Sequence, residues 1–226
     1  NTSSIALLED PDSGDIVDDP LAMANLLSKY WEGVFTARPV DDTAGESWVR
    51  RVRGALPTEA NWQLTQADVE LAIQYAHETS PGPDGTPYLA FKKVPESAAI
   101  LFDAANALLA GQVPPDDFNY GFLVCLPKKP HRVDPDRGDV YLPKTTRPLS
   151  IVNTDNRLIA SAFRIRLEPI FSKWVSQPQR GFITGRSMNA NIIDVEDGGL
   201  RFASKSATAA MIFFDFEAAF PSISHA

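Results

Sequence analysis

Asp215 follows directly on Ala209-Ala210-Met211-Ile212-Phe213-Phe214, a continuous apolar run of strand length. Such a run predicts a strand over residues 208 to 214 with both faces covered and one carboxylate delivered at its end. Phosphoryl transfer between nucleotides commonly uses two divalent metals about 4 Å apart, held by acidic side chains in a partly dry cleft. Asp215 suits one ligand position of that kind, and it equally suits the N-cap of a following turn. Two cations close a second feature. Lys128 lies just beyond the β-type run Tyr120 to Leu126, and Arg147 opens the run Arg147 to Val152. A basic loop rich in Pro and Gly joins the runs, which predicts an antiparallel hairpin with a long connection and with Lys128 and Arg147 close together at its ends.

Charge is distributed unevenly around these residues. Residues 1 to 70 carry 13 acids and 5 bases, and residues 71 to 226 carry 16 of each, so the net charge of −8 is N-terminal. From Lys128 to Arg186 there are 12 bases against 5 acids, a balance that would draw a polyanion or serve as a solvated basic face. The single cysteine, Cys125, sits inside Phe122-Leu123-Val124-Cys125-Leu126, which excludes a disulfide framework or a cysteine zinc cluster and reads as core packing. No run of 18 uncharged apolar residues and no secretory leader pattern occurs, so the expected location is intracellular, nuclear or cytoplasmic, with no membrane partner.

The positioning elements follow from period and punctuation. Residues 1 to 19, rich in Asp, Ser and Gly, predict little order. Asp19-Pro20 is an N-cap with proline at the first helical position, and Leu27, Tyr30, Trp31 and Val34 give the helix one apolar face. Residues 36 to 64 read as a linker, and Thr65-x-x-Asp68 as the capping box of a helix to about Glu78. The turn Ser80-Pro81-Gly82-Pro83-Asp84-Gly85 is rigid, its prolines fixing φ and its glycines permitting positive φ. A helix from Pro95 turns Leu101, Ala105 and Leu108 inward and stops at Gly111. Asn153-Thr154 caps a helix in which Leu158, Ala162 and Ile165 share a face, and Pro169 kinks or ends it. A weaker helix covers about Ser187 to Val195 and breaks at Gly198-Gly199. The sum is an α+β chain, divided into an acidic connector over 1–64 and a second domain over 65–226.

Five ordered segments resemble the reverse transcriptases of non-LTR (LINE-type) retrotransposons. They are Ser80-Pro81-Gly82-Pro83-Asp84-Gly85, Leu126-Pro127-Lys128-Lys129, Thr146-Arg147-Pro148-Leu149-Ser150, Gln179-Arg180-Gly181-Phe182 with Gly185-Arg186-Ser187, and Phe214-Asp215-Phe216-Glu217-Ala218-Ala219-Phe220. Residues 10 to 20 look like the connector between endonuclease and polymerase domains in that family. The resemblance implies the fingers of a right-hand polymerase with a partial palm, a truncated reverse transcriptase domain whose later acidic pair would lie beyond Ala226. It implies two magnesium ions, an RNA template, a DNA primer and deoxynucleoside triphosphates. Asp215 and the carbonyl of Phe216 would be metal ligands. Lys128 and Arg147 would hold the incoming triphosphate, with Lys129 as a substitute for Lys128. Phe220 resembles the ring that excludes a 2′-hydroxyl. Gln179 and Arg186 either line the nucleotide or template path or brace their loop. Ala218 stands where the family usually has Lys, and Pro221 where it usually has Asp. These departures, with the missing acidic pair, keep open a second reading, a non-catalytic remnant that binds nucleic acid.

Overall fold

The computed structural model describes residues 4–36, 41–53 and 60–215 of the chain. Its architecture is mixed α+β. The core lies among three helices: α3 (Gln66–Tyr75), α5 (Ser97–Leu109) and α6 (Thr154–Trp174). Leu101, Ala105, Leu158 and Ala162 interlock there, with Leu108 and Ile165 at the margin, as the apolar spacing predicts, and Val69, Ala72, Ile73 and Ile159 join them. The helix starts are legible too. Asp19 accepts the Ala22 amide at 2.8 Å and opens α1 (Pro20–Phe35), while Asp68 accepts from the amide of Thr65 at 2.8 Å and its hydroxyl at 2.6 Å. α3 ends at Tyr75, short of the expected Glu78. The short helix α4 (Tyr88–Lys93) follows the rigid turn.

Two sheets complete the fold. The strands β3 (Gly121–Pro127) and β6 (Thr146–Val152) form the predicted antiparallel hairpin, a two-stranded ribbon pairing Leu126 with Arg147 and Pro127 with Thr146. From residue 4 on, the expected loose N-terminal stretch is instead structured. β1 (Leu7–Glu9) pairs antiparallel with β2 (Ile16–Val17) and parallel with β5 (Gly138–Tyr141), which in turn pairs with β4 (Arg132–Asp134). Residues from the acidic N-terminal stretch and from the hairpin connection thus share one sheet. Four apolar residues in a row, Ile5-Ala6-Leu7-Leu8, supplied a burial signal that composition obscured; Leu8 is 0% exposed.

Other expectations are corrected. The 36 to 64 linker contains α2 (Asp42–Arg53), started by Asp41, whose carboxylate accepts the Ala44 amide. α6 runs through Pro169 to Trp174, because Phe171 packs edge-on against Trp62 at 5.8 Å and the last carbonyls gain a cap described below. α7 (Asn189–Ala203) passes through Gly198-Gly199 without breaking. Gly199 makes room for a neighbour there, since a Cβ would come within 2.8 Å of Met211 Cε. Residues 208 to 214 do not form the predicted strand. No other strand pairs with them among the described residues, so the run lies irregular, with Met211, Ile212, Phe213 and Phe214 exposed. No described helix is long and apolar enough to cross a membrane.

Candidate nucleic-acid interface

The rigid turn is seated on the start of α6. Asp84 donates its amide to Asn153 Oδ1 at 3.1 Å, and Thr154 Oγ1 donates to the Thr86 carbonyl at 2.6 Å. Arg157 reaches Ser80 O at 2.8 Å and Thr79 Oγ1 at 3.2 Å, with its guanidinium 5.0 Å from the Tyr88 ring centroid. Only Gly85 uses the left-handed backbone, at φ 72°. Gly82 is required for close approach instead: a Cβ would lie 2.5 Å from the Asn153 nitrogen and 2.6 Å from its Cα. Backbone cannot swing aside as a side chain does. Gly82→Ala is therefore expected to lower stability by about 1–3 kcal/mol, the usual size of an overpacking strain, read as a shift in the denaturant midpoint at unchanged m-value.

The ribbon extends beyond its last strand residue, because Lys128 donates its amide to Thr145 O at 3.0 Å. Lys128 and Arg147 are consequently diagonal neighbours with Cα atoms about 7–8 Å apart, on one face by the period-2 alternation. The opposite face is closed by α1. There Trp31 Nε1 donates to Thr146 Oγ1 at 3.2 Å, and Cys125 lies half-buried beside both. Burial pushes the Cys125 thiol up, against the opposing effect of the Thr146 and Trp31 hydrogen bonds. The face with Arg147 stays open, with Phe122, Leu126 and Leu149 exposed along it.

Folding sorts the basic segment into used and unused charge. Glu9 takes Arg132 at 2.6 Å and Asp18 takes Arg137 at 2.5 Å, so the acidic N-terminus neutralises the hairpin connection. Arg164 pairs with Glu168, Arg166 with Asp68 and Arg180 with Asp194. Lys128, Lys129, Lys144 and Arg147 are all exposed and none has a carboxylate partner among the described residues. Lys144 sits on the 3₁₀ turn Pro143–Thr145 that leads into β6, a cation that sequence reading passed over because the turn's return to the ribbon is tertiary. Four cations without a carboxylate partner thus gather at the ribbon end, with Lys173 exposed separately at the end of α6, rather than a basic face over the whole segment.

The other site residues separate. Arg186 donates to four backbone carbonyls, Ser172 at 2.6 Å, Val175 at 2.9 Å, Ser176 at 2.7 Å and Gln179 at 2.7 Å. It is a side-chain cap for the C-terminus of α6, which also suits the negative end of the helix dipole. Of the two roles open to it, the bracing one is what its contacts describe. Gln179 is exposed and donates to Gly181 O at 3.1 Å. Glu168 ties the same loop down, accepting from the Thr184 hydroxyl and from the Thr184 amide at 3.0 Å. Asp215 is exposed and has no hydrogen bond or ion pair among the described residues, and nothing there brings it to Lys128 or Arg147. Phe216 and Phe220 lie outside the described residues.

Two carboxylates anchor this framework electrostatically. Burial works against the charge of Asp68, but hydrogen bonds from Thr65 and Arg166 hold its carboxyl below the ordinary value. The Thr184 hydroxyl foremost, against burial and helped by the Thr184 amide and Arg164, does the same for Glu168. A depressed folded-state pKa adds stability above the unfolded value of about 4, and that stability is lost as pH falls through the folded value. Unfolding midpoints at pH 7 and pH 3 are expected to show a drop on acidification that shrinks in Asp68→Asn, whose stability is already lower at pH 7.

No family model matches the chain. The chain is similar to the transposon TX1 uncharacterized 149 kDa protein of Xenopus laevis, at 25% identity over 221 residues. The match covers 95% of this chain and 16% of that relative's length.

Proposed function

We propose that the chain is the fingers, with the beginning of the palm, of the RNA-directed DNA polymerase of a non-LTR retrotransposon. The observation that carries this reading is the open end of the ribbon. Lys128 and Arg147 stand side by side there, with Lys129 and Lys144 adjacent and no carboxylate to neutralise them among the described residues. A planar guanidinium beside ammonium groups suits phosphate oxygens, whether of a deoxynucleoside triphosphate or of a strand backbone. Similarity to a transposon protein along nearly the whole chain agrees with a retrotransposon-related origin.

Of the magnesium ligands that the resemblance implies, Asp215 lies among the described residues and Phe216 does not. No group of three or more His, Cys, Asp and Glu side chains among them could hold a metal ion, and Asp215 stands alone. A second reading, a nucleic-acid-binding remnant without chemistry, is favoured by Pro221, which stands where the family usually has Asp. Primer extension on an RNA template separates the two when the chain is expressed with whatever coding sequence follows it. Polymerisation that is lost on Asp215→Asn supports the polymerase, whereas hybrid binding with no extension supports the remnant.

A further inference from the structure

Phe182 departs from what folding alone would choose. Its backbone is left-handed, with φ 62°, and it is the only non-glycine residue in that region among those described. A bulky aromatic at such an angle is strained. Its ring gains nothing in return from the protein, because Phe182 is 95% exposed. Strain of this kind persists only where the surroundings over-determine it, and the surroundings do. Arg186 clamps four carbonyls on the near side of the loop, Glu168 holds Thr184 two residues on, and Arg180 is fixed to Asn191 at 2.7 Å and Asp194 at 2.6 Å. Gln179 closes the turn on Gly181. The loop is built to hold one ring out in water.

The charge around the ring indicates what it meets. From Lys173 to Ser187 the chain has three bases and no acid; Asp194 neutralises Arg180, while Lys173 and Arg186 have no carboxylate partner among the described residues. A flat apolar ring in a cationic loop matches a strand that offers both a π-face and phosphates. Extending the polymerase reading above, and resting on it, we propose that Phe182 is a fixed stacking platform for an unpaired base of a single-stranded nucleic acid. The loop contacts preset the ring, so that binding does not have to order it.

The test uses the purified chain and a fluorescein-labelled single-stranded RNA of about a dozen nucleotides, with affinity measured against salt for wild type, Phe182→Gly and Phe182→Trp. Phe182→Gly is expected to bind about tenfold more weakly, the order of one lost base–aromatic stack, with its salt slope unchanged. Its melting temperature is expected to hold or rise, since glycine relieves the positive φ. Phe182→Trp is expected to bind as wild type or better. Wild-type binding that falls with salt, together with unchanged affinity in Phe182→Gly, would overturn the platform while leaving the polymerase reading intact. A lower melting temperature in Phe182→Gly would also overturn it, by giving the ring a packing role. Absence of any wild-type binding would overturn the platform, and the polymerase reading would still be decided by primer extension.

Discussion

Replacing Lys128 and Arg147 together by alanine is expected to weaken binding of an RNA/DNA hybrid by about 30-fold at 0.15 M salt. Each phosphate contact contributes close to one unit to the slope of log affinity against log salt, so the double variant should lose roughly 2 units of slope. The effect should be large because these two side chains have no internal competitor. Arg132 and Arg137, by contrast, already have Glu9 and Asp18 within 2.6 Å, and their replacement should change the slope far less. That contrast matters more than either number. It separates a local anion site at the ribbon end from a diffuse basic surface, since a diffuse surface would weigh all four bases alike. Exposure of all four side chains to measurement by the same anisotropy titration makes the comparison direct.

Replacing Arg186 by alanine should produce the largest loss of stability, roughly 2 kcal/mol or more. Four carbonyls at one helix end lose a charged donor together, and hydrogen bonds to charged groups are worth about 1.5–3 kcal/mol where they cannot be replaced by water. Ser172 and Val175 are on the partly covered side, so water substitutes poorly there. Arg186→Lys keeps the charge but cannot span the four acceptors, and it should recover only a small part. The change is read as an earlier thermal transition, with hydrogen exchange speeding first at the last turn of α6 and across residues 179 to 187. An effect on nucleic-acid affinity without an effect on stability would instead mean that the guanidinium leaves its carbonyls and meets a ligand.

Legibility in the sequence followed the range of the forces involved. Asp19, Thr65 and Asp68 are read easily because capping is settled within three or four residues. Leu101, Ala105, Leu158 and Ala162 are read from period, and the hairpin from two apolar runs with a polar connection. What escaped depends on partners far along the chain. β1 exists because Gly138–Tyr141 lies beside it, and the apolar run Ile5 to Leu8 signals burial without naming that partner. Pro169 and the Gly198-Gly199 pair are helix breakers by local preference, yet α6 is held by Trp62 and Arg186, and α7 accepts Met211 against its glycines. The 208 to 214 run failed in the opposite sense. Its composition suits a strand, but strand geometry needs a partner for its backbone, and the described residues offer none.

The candidate site divides in the same manner. Lys128 and Arg147 come together because register is fixed by the ribbon's own pattern. Arg186 carries a motif position, but its carbonyl partners lie in the turn that ends α6, which motif spacing does not reveal. Lys144 belongs to none of the five segments, and Phe182, which closes the Gln179-Arg180-Gly181-Phe182 segment, has no role assigned by the resemblance. One is placed by a short turn returning to the sheet, and the other is noticeable only through a backbone angle.

Amide chemical-shift mapping of the purified chain, titrated with an RNA/DNA hybrid at moderate salt, tests the central claim most directly. Perturbations that centre on Lys128, Lys129, Lys144, Thr145 and Arg147, and that fade as salt is raised, are the expected result. Perturbations that centre on α2 or on the Arg132 and Arg137 sheet, with the ribbon end silent, would contradict it.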